Sequence, residues 1–173
     1  LPPSSAASDV YKRQGEDGWA HRIDGLQPDR RDLDVALGTG RSVDINAVDW
    51  HPGGATALLV GDTGLLMRYV GDTHAVTNAN GSNLLTGRDL IDVAWRPGAD
   101  VAYIASADGG LWRFAEGTGP VMLEDGLETE DIVDLECHRS ANVCVVTTSQ
   151  DGLAVIGRSH DVTWLTGTSS TTW

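Results

Sequence analysis

The chain has 173 residues, 40% hydrophobic and 21% charged, enough for one domain with a sizeable core. Acidic residues outnumber basic ones 25 to 12, and the resulting net charge of −13 argues against binding a nucleic-acid backbone, which needs clustered Lys and Arg. No apolar run approaches the ~18 residues of a membrane-crossing helix, and 21 glycines without a helix-forming tract point to short strands joined by tight turns.

Residues 1–14 lack the periodicity of the remaining chain. Their Pro, Ser and Ala opening predicts a disordered tail. The segment is also similar to the translation of a sequencing adapter, as found at the ends of proteins predicted from short-read assemblies. That resemblance implies a scar outside the fold, with the natural start upstream; a natural flexible tail is the alternative. Residues 15–40 read as the end of an earlier repeat unit. Gly18 and Arg22 lie 46 residues before Gly64 and Arg68, and 32–37 alternates polar with apolar, as an exposed outer strand does.

From residue 41 the repeat is explicit. The stretch Ile45-Asn46-Ala47-Val48-Asp49-Trp50-His51-Pro52-Gly53-Gly54 is echoed by Leu90-Ile91-Asp92-Val93-Ala94-Trp95-Arg96-Pro97-Gly98-Ala99, with Trp50 and Trp95 45 residues apart. The same register carries Gly64 onto Gly109, Leu66 onto Leu111, Arg68 onto Arg113 and Tyr69 onto Phe114. A third copy lies 42 residues on, with Val93 on Leu135, Trp95 on Cys137, Leu111 on Leu153 and Phe114 on Ile156. The units span 41–87, 88–129 and 130–173, the last including the start of another. Each predicts four strands: 45–50, 57–61, 65–70 and one within 74–85; then 91–95, 101–105, 111–114 and 120–123; then 132–137, 143–148, 153–156 and 162–165. Pro52-Gly53-Gly54 and Asp62-Thr63-Gly64 supply the turn chemistry.

A period of about 40–45 residues is that of propeller blades. The predicted fold is all-β, a partial β-propeller of about three and a half four-stranded antiparallel blades. Each open end of such an arc would expose a face that normally packs on a neighbour, which predicts end-to-end self-association or aggregation. The pattern over 45–166 resembles WD40-type and YVTN-like propeller repeats in its hairpin, its Asp/Gly turn and the bulky residue closing strand three (Tyr69, Phe114, Ile156). It departs from them in lacking Gly-His before the first strand, and in placing Val70, Ala115 and Gly157 where the Trp-Asp dipeptide has Asp. The run 59–68 is also similar to the repeats of photosystem-II-assembly-factor-like propellers.

Asp44, Asp89 and Asp131 share one repeat position just before a first strand, on the side that carries the turns with Asp62, Asp108 and Asp151. A ring of carboxylates there is a candidate site for a basic ligand or a divalent cation, the one cofactor the sequence suggests. Arg41 and Arg88, each in Thr-Gly-Arg, would neutralise part of its charge. The competing reading is structural, with Asp accepting turn amides and tying neighbouring loops. His51, Arg96 and His138 are equivalent at the opposite hairpins and predict exposed turn residues, too few and too far apart for zinc. Trp50 and Trp95 predict core anchors.

Cys137 and Cys144 flank a hairpin centred on Ser140-Ala141 and should lie directly opposed. Either they form a disulfide, which places the protein outside the cytosol, or they fill as small side chains the space that Trp takes in the other units, in a cytoplasmic protein. Asn80-Gly81-Ser82 is a formal glycosylation sequon. The stretch 106–112 nearly spells the Asp-box of sialidase-like propellers, with Trp112 one residue early. No nucleophile elbow, zinc-protease helix, phosphate-cradling loop or Cys-x-x-Cys occurs. The functional expectation is a non-enzymatic scaffold that binds a protein or peptide through loops on one face. Two alternatives stand beside it: part of a propeller enzyme of quinoprotein, lyase or glycosidase type whose catalytic residues lie in further blades, and an extracytoplasmic cation-binding sensor module.

Overall fold

A computed structural model describes residues 19–22, 31–34, 43–73, 75–81, 85–124, 131–149 and 152–165. Within each blade the short alternating segments pair as meanders because each three- to six-residue turn returns the chain beside itself. Strands β1 (Trp19–Arg22) and β2 (Arg31–Asp34) form an antiparallel pair with Trp19 opposite Asp34. The first complete blade is β3 (Ile45–Trp50), β4 (Thr56–Gly61), β5 (Leu65–Val70) and β6 (Ala75–Asn78). The second is β7 (Leu90–Trp95), β8 (Val101–Ser106), β9 (Leu111–Ala115) and β10 (Gly119–Glu124). The third is β11 (Ile132–Cys137), β12 (Cys144–Thr148), β13 (Leu153–Ile156) and β14 (Val162–Leu165). Within each, the sheet order matches the chain order. The fold is all-β, a partial propeller of three blades and a two-stranded half blade.

The blades stack through their first strands, with β7 packed against both β3 and β11. The second strand of the middle blade, β8, therefore has sheet on both faces, and β4 is buried at every position. One apolar cluster fills the gap between the first and second blades, joining Ala47, Leu58, Val60 and Leu66 to Val93, Trp95, Ile104, Trp112 and Phe114. Another joins Ala94, Tyr103, Ala105 and Leu111 of the second blade to Leu135, Cys144, Val146 and Ile156 of the third. A third cluster, with Ala57, Leu59 and Tyr69, lies on the opposite face of the first blade. Each fully buried Leu, Ile or Val contributes about 1.5–3 kcal/mol, so the gaps between blades are where stability resides.

Two details repeat with the period. Gly64 and Gly109 sit at φ 83° and 82°, a left-handed conformation that favours glycine. At Gly64 a side chain would also collide with the Leu85 carbonyl. The register of each first strand slips by one residue, between Ile45 and Ala47, Leu90 and Asp92, and Ile132 and Asp134. These are β-bulges, and they turn Asn46, Ile91 and Val133 out of the simple alternation.

Candidate functional site

Asp44, Asp89 and Asp131 do occupy one structural position, but the shared role is carried by their backbone. The carbonyl of each accepts the amide that opens the turn after strand two: Asp62 N to Asp44 O at 3.1 Å, Ala107 N to Asp89 O at 2.9 Å, and Ser149 N to Asp131 O at 2.9 Å. All three side chains are exposed. The Asp89 carboxylate also takes the Thr63 amide of the preceding blade at 3.1 Å, a tie between neighbouring loops. Among the described residues, no three His, Cys, Asp or Glu side chains stand close enough to hold one metal ion.

Arg88 reaches the turn of its own blade. Its guanidinium donates to Asp108 at 2.9 Å and lies 5.1 Å above the Trp112 ring. Asp108 also accepts from the Ser106 hydroxyl, which in turn takes the Gly110 amide at 3.1 Å. Partial burial works against the charge on Asp108. The Ser106 hydroxyl, the Arg88 guanidinium and the Gly110 amide outweigh it and hold the carboxyl below its ordinary value. The Asp-box-like stretch is thus a turn tied within its own blade to Arg88 and Asp89, and Gly110 leaves the room that the Trp112 ring fills. Arg41 and Asp151 lie outside the described residues.

The opposite ends of the blades differ most from the exposed turns that the sequence predicts. His138 is exposed and caps its own turn, its Nδ1 accepting the Ala141 amide at 2.9 Å. His51 is half-buried beside Asp100 at 3.1 Å, its ring edge-on to Trp95 with centroids 4.7 Å apart. Arg96, predicted to be an exposed turn residue, is only 3% exposed. It reaches across the gap into the third blade. One guanidinium nitrogen donates to Asn142 O at 2.7 Å and Gly157 O at 2.6 Å, the other to Arg158 O at 3.2 Å and the Tyr103 hydroxyl at 3.1 Å. The physical reason is that the third blade's turns leave carbonyls pointing into the gap, and a planar cation with several donors satisfies them together.

The Tyr103 hydroxyl meets His160 Nδ1 at 2.8 Å. In the neutral imidazole with its proton on Nε2, Nδ1 accepts from the Tyr103 hydroxyl while that hydroxyl accepts from Arg96. Burial, then Arg113 and Arg96, push the His160 pKa below its ordinary 6.5, against the pull of Asp161. Burial also raises the Tyr103 hydroxyl, although Arg96 and Arg113 oppose this. The unfolded chain therefore takes up the His160 proton at higher pH than the folded one. This contribution to stability is complete above about pH 6.5 and is lost as pH falls below it. Urea titrations at pH 7.5 and pH 5.5 are expected to show a lower midpoint at pH 5.5. His160→Asn, which tolerates the positive φ of 69° at that position, is expected to shrink the difference.

Cys137 lies opposite Cys144 in the β11–β12 register and the two form a disulfide with Cα atoms 4.0 Å apart. The neighbouring pair His138 and Val143 exchanges a backbone bond at 3.0 Å, so the cysteines hold the alternate, non-hydrogen-bonded position where side chains approach most closely. Closing so short a loop contributes about 2 kcal/mol. Asn80 of the sequon is 7% exposed and donates to Gly64 O at 3.3 Å, which makes it a structural residue of the first blade rather than an accessible acceptor.

Two open clefts flank an ion pair between the first and second blades, Arg68 Nε to Glu116 at 3.0 Å. One, of about 480 Å³, is lined by His51, Ala55, Thr56, Asp100 and Ala115. The other, of about 470 Å³, runs along the outer strand past Thr77, Asn78, Phe114, Thr118 and Gly119. No protein-family model and no curated protein matches the chain.

Proposed function

We propose that this chain is a non-enzymatic propeller scaffold of WD40-like or YVTN-like type that binds a protein or peptide partner through the loops at one end of its blades. The observation that carries the reading is the pair of clefts meeting at Arg68 and Glu116. Together they make an open furrow between adjacent blades, with charged, amide and hydroxyl groups beside Phe114. An open, mixed-polarity furrow suits an extended polypeptide better than a small molecule, which favours a deeper apolar cavity. The Cys137–Cys144 bond supports an oxidising, extracytoplasmic setting for the scaffold.

The test is to select peptides from a random displayed library against the whole protein and measure their affinities for the Arg68→Ala and Glu116→Ala variants. Binding is expected to weaken about tenfold or more when the interblade ion pair is broken. Selected peptides that bind both variants as tightly as the parent would refute the reading.

A further inference from the structure

We propose that the free face of the third blade docks a further β-sheet, using the carboxylates of Asp134 and Glu136 to accept two outward amide N–H groups from that sheet's nearest strand. The two internal interfaces supply the pattern. A first strand is an edge, so alternate amides along it have no partner within their own sheet. The preceding blade covers them with an aspartate: Asp49 accepts Trp95 N at 2.7 Å, and Asp92 accepts Leu135 N at 3.0 Å. By the repeat these are two different positions, since Asp49 aligns with Ala94 and then Glu136, and Asp92 aligns with Asp134. The first two blades each use one of the positions. The third blade has an acid at both, each exposed and without a partner among the described residues.

The apolar part of the interface is continued as well. Asn46, at the first bulge, reaches across to Leu90 O at 2.9 Å, and Ile91, at the second, packs against the core shared with the third blade. Their counterpart Val133 is 59% exposed. Val145 and Leu153, which align with the buried Tyr103 and Leu111, share this face with Leu165, which is 47% exposed. The partner this face fits is a β-sheet whose edge strand turns apolar residues inward at positions i and i+2 and offers the amides of those same residues. Trp95 fills one of these roles within the chain and Leu135 the other. A second copy meeting through the same face would bring four carboxylates together, and the far face of the first blade is already buried at Ala57, Leu59 and Tyr69.

The inference stands on blade packing and not on the cleft at Arg68, so each can fail alone. The probe is a synthetic hairpin of residues 132–148 closed by its Cys137–Cys144 bond, titrated into the isotope-labelled whole protein. Saturable amide shifts are expected at Val133, Val145 and Val155. Asp134→Asn and Glu136→Gln, or N-methylation of the probe at Leu135 and Cys137, are each expected to weaken binding about tenfold, the effect of one charge-assisted hydrogen bond. Shifts centred on Arg68 and Glu116, affinity unchanged by all these alterations, or dimerisation of the protein through this face would overturn the proposal.

Discussion

Replacing Arg96 with alanine is expected to destabilise the fold by about 3–5 kcal/mol, read as a lower urea midpoint at unchanged slope. The side chain makes four hydrogen bonds, three of them to backbone carbonyls of the third blade. Removing it strands those part-buried acceptors beside the buried Tyr103, and an unsatisfied polar group costs about 1–3 kcal/mol where it is fully buried. The effects do not add in full, because water enters part of the space that the guanidinium leaves. Lysine is expected to recover less than half of the loss, since one ammonium cannot reach Asn142, Gly157 and Arg158 together. A loss below about 1 kcal/mol would show that solvent serves those carbonyls as well as Arg96 does, and that the second and third blades are held by apolar contact alone.

This residue also marks where the sequence stops being legible. Strand positions can be read because alternation and Gly-rich turns are local properties, and β3, β5 and β11 begin and end where the pattern places them. The opposition of Cys137 and Cys144 can be read because a short hairpin fixes its own register. Arg96 aligns with His51 and His138 in Pro- or Ser-bearing turns, and local chemistry says only that a turn residue is exposed. Its burial depends on carbonyls 46 to 62 residues away, which no window of sequence contains. The bulges at Asn46, Ile91 and Val133 are hidden for a related reason: an extra residue leaves the hydrophobic pattern looking continuous. Asp49 and Asp92 look like the polar half of an alternating strand until the next blade is laid against them. For the repeated Asp44, Asp89 and Asp131, the period points to the right place, while the working atom in all three is the backbone carbonyl.

The second large effect is expected at Trp95, and it separates two tryptophans that the repeat makes equivalent. Trp95 is 3% exposed and sits in the gap between the first two blades, edge-on to His51 and, at 6.1 Å, to Phe114. Truncation to alanine removes a large ring from a site walled by two sheets, and about 3–5 kcal/mol should be lost. The repeat predicts an equal anchor at Trp50, but that residue is only partly buried and packs edge-on to Tyr69 at 5.6 Å on the other face of the first blade. Because its surroundings already admit solvent, alanine there should cost about half as much. Trp95→Phe discriminates further. The Trp95 indole N–H has no hydrogen-bond partner among the described residues, so phenylalanine gives up ring volume but also relieves an unsatisfied donor, for a net loss of about 1 kcal/mol. Thermal and urea unfolding of the three variants measures the order. If Trp50→Ala proves as damaging as Trp95→Ala, the face of the first blade away from the second is as tightly packed as the gap between them, and stability is not concentrated between blades.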